Sequence, residues 1–120
     1  MGQHMARTAI KWLKPQHLVL VDHATEIMVG TKKTLLTDFA SDLQNLSEGN
    51  TQVRTESLNI ADESEVADLF SRHRNIDYLQ HTAGISPCPL TPPEELDKDT
   101  VMKSCEINLW GAHNLLKQAV

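Results

Sequence analysis

Six histidines, two cysteines, one tyrosine and a strand-like run entering a small-residue turn are where this 120-residue chain offers chemistry. His17, His23, His73, His81 and His113 form no i, i+4 pair, so surface or strand-end histidines account for them better than a metal site does. Acid–base work is open to two of them. His23 follows one apolar run and His81 another, with Asp22 beside the first, and a histidine near neutral pKa at a pocket rim can move protons without a cofactor. The alternative is two exposed loop histidines. Cys88 lies in a proline-bounded loop after the second run, but nothing near it in sequence lowers a thiol pKa. The stretch IDYLQHTAGIS, residues 76–86, reads as a buried strand ending in Ala83 and Gly84. Those residues lack bulk, so a planar ligand can approach the backbone there; a tight strand exit needs small residues equally well.

Around these residues the composition is that of a globular protein, 40% hydrophobic and 22% charged. The length suits a single domain with one core. A net charge of −5, with no basic stripe to neutralise phosphates, argues against nucleic acid or an anionic membrane as partner. No apolar run approaches the roughly 18 residues of a membrane span. Cys88 and Cys105 have no metal or redox spacing and fit reduced thiols in the cytoplasm. Residues 1–5 are an expression scar or a native start, and residues 6–120 are one domain.

The elements that must position the site alternate. Ala6–Leu13 has helical spacing and stops at Pro15. His17–Val21 is a short apolar run, expected as a strand covered on both faces. Leu35, Leu36, Phe39, Leu43 and Leu46 predict one helix over Thr31–Leu46, with Lys32 and Lys33 on its wet face and Gly49-Asn50 closing it. Thr51–Ile60 is the second strand. Asp62 caps a helix that runs to about His73, with acids in its first turn. Ile76–Gln80 is the third strand, Pro87–Pro93 a loop, and Pro93–Asp97 a short turn or helix start. Val101–Val120 is the last helix, with Val101, Cys105, Asn108, Leu109, Ala112, Leu115 and Leu116 near one face. Strands alternating with helices predict an α/β domain with a parallel sheet.

Read in order, ARTAIKWL, LVLVDH, LNIADESEVADLF, IDYLQHTAGIS and INLWGAHNLLKQAV resemble successive segments of the short-chain dehydrogenases/reductases. The resemblance spans about Ala6 to Val120. It implies a partial Rossmann-like sheet of about three strands and an NAD(P) cofactor. Asp22 matches the acid that favours a free ribose 2′-hydroxyl, hence NAD over NADP. Asn59, with Ile60 beside it, stands where an acid usually meets the adenine. Ala83 and Gly84 match the family's Asn-Asn-Ala-Gly turn, with His81-Thr82 in place of its two asparagines. Asn108 matches the asparagine that helps hold the active-site water and lysine.

The family's first strand and glycine-rich loop have no counterpart here, since the chain opens at the helix after them, with Ala6 where the last glycine would stand. Its Tyr-x-x-x-Lys pair is also missing: the one tyrosine, Tyr78, has Thr82 four places on. An incomplete, truncated oxidoreductase-lineage domain, unable to transfer hydride alone, is the expectation. Two alternatives stand beside it. One is a cofactor-independent isomerase or cyclase using His81, and the other a non-catalytic binding or assembly module. Missing the central strand leaves unpaired edges, filled either by Ile76–Gln80 or by a partner chain. The last helix resembles the family's dimer-forming helix, so a homo-oligomer is expected.

Overall fold

The computed structural model describes residues 1–86 and 91–120. They divide into two compact units, Met1–Leu58 and Asn59–Val120.

The first unit opens with α1 (Gly2–Thr8), which continues as a wider π-helical turn, Ala9–Leu13. Ala6 and Ile10, one turn apart, are buried with Phe39 and Leu43. Lys14, left-handed at φ +47, ends the helix, and Pro15 prevents its resumption. Strand β1 (His17–Asp22) pairs in parallel with β4 (Gln52–Ser57), Leu18 opposite Val53 and Leu20 opposite Thr55. Thr51 leads into β4 fully buried, its hydroxyl donating to the Pro15 carbonyl at 2.7 Å.

Between these strands the expected helix over Thr31–Leu46 is replaced by two elements. Antiparallel β2 (Glu26–Val29) and β3 (Lys32–Leu35) form a hairpin, and α2 (Leu36–Leu46) begins only after it. Gly30 at φ +64 takes the first central position of the Gly30–Thr31 turn, where a left-handed backbone matches strand twist. Lys32 and Lys33 therefore lie on a strand, not a helix face, and Lys33 faces Glu26 across the hairpin at 3.6 Å. Within α2 the periodicity holds: Leu36, Phe39, Ala40 and Leu43 are its buried residues.

The second unit begins with a turn at Asn59–Ala61 and α3 (Glu63–Arg72), capped by Asp62 as expected. A 3₁₀ turn at Pro93–Glu95 precedes α4 (Lys98–Cys105), which Asp97 caps. A second π-helical turn, Glu106–Gly111, joins α4 to α5 (Ala112–Ala119). Helix α3 packs against α5, and Ile60, Val66, Leu69 and Leu115 are buried.

Two further expectations fail. Ile76–Gln80 is not a strand: no ladder pairs it, and Tyr78 is 62% exposed. An apolar run becomes a strand only where a neighbour takes its N–H and C=O groups, so the sheet has two parallel strands rather than three. The last helix also turns a different face inward. Its π turn fits more residues into a turn and rotates the face of the helix beyond it, so Gly111, Asn114 and Leu115 are buried. Leu109 and Leu116, expected inside, are 69% and 64% exposed.

Candidate functional site

In the second unit, the turn expected to receive a ligand is held by a side chain 23 residues away. The Ile85 N–H donates to Asn108 Oδ1 at 2.8 Å, and Asn108 Nδ2 donates to the Ile85 carbonyl at 2.7 Å. A side-chain amide thus pairs with a backbone amide at both ends, and only this orientation of Asn108 satisfies both bonds. The Ser104 hydroxyl, one helical turn before Asn108, also donates to the Ile85 carbonyl at 3.3 Å. Gly84 allows this approach, because a Cβ there would stand 3.2 Å from Asn108 Oδ1. Ala83, Gly84 and Ile85 are exposed and His81 is half-buried.

A second turn of the same unit carries Asn59 and Ile60. Asn59 Oδ1 accepts from the Ala61 N–H at 3.1 Å, and the Asn59 N–H donates to Glu65 Oε2 at 2.8 Å. Both groups thereby serve the local turn. Asp62 next to it accepts from the Ser64 hydroxyl and from the Ser64 and Glu65 N–H groups. The Ser64 hydroxyl first, and then the Glu65 N–H, hold the Asp62 carboxyl below its ordinary 3.8.

That turn is supported by Gly111, which ends the π turn before α5, and by Asn114 of α5, to which the sequence reading gave no role. A Cβ on Gly111 would lie 2.6 Å from Ile60 Cγ1, so the glycine is a socket for the Ile60 side chain. Asn114, 1% exposed, donates through Nδ2 to the carbonyls of Ile60 at 3.0 Å and Ala61 at 3.2 Å. Its Oδ1 is buried without a hydrogen-bond partner among the described residues. The legible signal is an asparagine next to Leu115 in an apolar stripe, where a polar side chain persists only if it has backbone to satisfy.

In the first unit, Asp22 closes β1. Its Oδ1 accepts from the Ala24 N–H at 3.0 Å, an Asx turn, and the Ser57 hydroxyl donates to the His23 carbonyl at 3.2 Å. Beyond it a concavity of about 480 Å³ is lined by residues 23–28 and Lys33. Asp22 and His23 thus belong to the first unit and His81 to the second, and neither unit by itself assembles the acid–base rim expected of them. Among the described residues no three His, Cys, Asp or Glu side chains are grouped to hold a metal. Cys88 lies outside the described residues, and Cys105 is a free, exposed thiol.

Chemically, the second unit presents two backbone turns held by asparagine side chains: the exposed Ala83–Ile85 turn by Asn108, and the half-buried Asn59–Ala61 turn by Asn114. Among the described residues, neither turn brings a nucleophile and a base together. No protein-family model, curated protein or solved structure matches the chain.

Proposed function

We propose that this chain is a nucleotide-binding domain of short-chain dehydrogenase/reductase descent, which engages NAD without transferring the hydride through its own residues. The carrying observation is the double bond pair between Asn108 and Ile85. Two segments that each resemble one family meet through both polar atoms of one side chain. The parallel pairing of β1 with β4 supports the same reading, since open parallel sheets bind ligands beyond the carboxyl ends of their strands. Asp22 closes such a strand. By the resemblance, Asp22 in the first unit is the acid for a ribose 2′-hydroxyl; within the second unit, Ala83 and Gly84 leave backbone bare for a ligand and the Asn59–Ile60 turn stands at the family's adenine position. Tyr78 is followed by Thr82 at the lysine position, so proton relay lies outside these residues.

Titration calorimetry tests the reading. NAD should bind saturably, NADP more weakly, and Asp22→Ala should weaken NAD about tenfold, or about 1.4 kcal/mol. No heat from either dinucleotide at millimolar concentration removes it. Self-association belongs to the same reading, because β1 and β4 keep outer edges unladdered among the described residues; a cytoplasmic location is proposed with it. Sedimentation velocity should show a dimer or larger species at high micromolar concentration; a monomer there rejects self-association.

A further inference from the structure

We propose that the end of the first helix, Lys11–Trp12–Leu13–Lys14, is a docking surface for the anionic face of a lipid bilayer. Helix α1 and its π turn bury Ala6 and Ile10, and the last residues, Lys11 to Lys14, are all exposed. Trp12 is 73% exposed and Leu13 60%, so two large apolar side chains stand in solvent side by side. Lys14, left-handed, stops the helix just after them, which makes the pair a helix tip rather than part of a flank. Lys11 and Lys14 flank the pair in sequence, and both are exposed. The Lys11 ammonium lies 5.2 Å from the centre of the Trp12 ring, which places cation and indole together.

The charge around this tip runs against that of the molecule. No acid precedes Asp22 in sequence, so residues 1–21 carry Arg7, Lys11 and Lys14 and no carboxylate side chain, while the whole chain carries −5. Which charge a flat anionic surface meets is decided by distance. The Debye length is about 10 Å at 0.1 M salt, so acids farther off are screened and cations at the tip are not. An indole with flanking lysines and a leucine beside it suits the headgroup boundary, where the ring sits among carbonyls and the ammonium groups meet phosphates. A second copy of the chain docking tip to tip would bring like charge and be repelled. Nucleic acid would use the three cations but leave Leu13 without a partner, and three phosphate contacts give little affinity. No helix among the described residues is long and apolar enough to cross a membrane, and the attachment inferred is to the bilayer surface only.

The test is co-sedimentation of the full chain with vesicles of phosphatidylcholine alone, and of three parts phosphatidylcholine to one part phosphatidylserine. Trp12 emission is followed in a Trp110→Phe background. Binding should favour the anionic vesicles, shift Trp12 emission to the blue, and fall when salt rises from about 0.1 M to about 1 M. Lys11→Gln with Lys14→Gln should weaken anionic binding roughly thirtyfold, taking about 1 kcal/mol per lysine. Trp12→Ala with Leu13→Ala should abolish the shift and the pelleting. All four side chains are exposed, so circular dichroism should be unchanged in each variant. No pelleting with anionic vesicles, or equal pelleting of the double-glutamine variant, overturns the proposal. So does retention on a single-stranded oligonucleotide without retention on vesicles.

Discussion

Asn108 and Gly111, three residues apart on one turn of helix, fix two different loops by opposite means. Asn108 supplies polar atoms, and Gly111 supplies the absence of any side chain. Asn108→Ala removes an acceptor from the Ile85 N–H and a donor from its carbonyl. Because the site is exposed, water replaces much of both bonds, and about 1 kcal/mol of stability should be lost. The sharper readout is local. The Ile85 amide should exchange with solvent much faster in Asn108→Ala, and unchanged exchange would deny that the asparagine holds the turn. Gly111→Ala drives a methyl into Ile60 and should cost about 1–3 kcal/mol in urea unfolding. Adding Ile60→Ala removes both clashing carbons, so the double variant should be less destabilised than the sum of the two. Strict additivity would place the damage elsewhere.

Caps and turns decide the elements. Asp62 and Asp97 each cap a helix, and each carboxyl is held below 3.8, Asp97 first by the Thr100 N–H and then by its hydroxyl. A carboxyl whose folded pKa lies below its unfolded one stabilises fully above the unfolded value, and that contribution fades as pH falls through the folded value. The stability gap between wild type and Asp62→Ala should therefore be flat near neutrality and close in acid, below 3.8. A gap that persists there would mean the charged form is not what caps α3. Gly30 sets the hairpin: with nothing within 4 Å of a Cβ, Gly30→Ala meets only the backbone cost of a left-handed residue. That cost is about 1 kcal/mol, readable as a fall in the thermal midpoint. The hairpin is hard to read locally because Leu35, Leu36, Phe39 and Leu43 keep helical spacing well enough to extend a helix backward over Thr31. Only the Gly30-Thr31 pair, between Ile27-Met28-Val29 and a threonine-bearing run, marks the chain reversal.

At the scale of the molecule, two units each keep a small core of their own: Ala6, Ile10, Phe39 and Leu43 in one, Ile60, Val66, Leu69 and Leu115 in the other. Slow hydrogen exchange should accordingly fall in two sets, β1, β4 and α2, then α3 and α5. Residues 76–84 should exchange fast, having mostly exposed side chains and no ladder. Protection at Leu79 equal to that at Leu20 would restore the third strand and undo the two-stranded description.

Local pattern alone determined much of this. The strand at His17–Val21, the Asp62 cap, the α2 stripe and the turn before α4 each arise from residues within a few places of one another, and all are present, although β1 is half-buried to exposed rather than covered on both faces. Such signals survive folding because they concern hydrogen bonds and periodicities that the segment satisfies by itself. Tertiary structure decided the rest. Whether Ile76–Gln80 became a strand depended on a neighbour, and which face of the last helix turned inward depended on a π turn at Glu106–Gly111. Whether Asn108 met Ile85 or Asn114 met Ile60 depended on distant backbone arriving within hydrogen-bonding reach. A sequence states what a residue can donate or accept; only the packed chain brings it the partner.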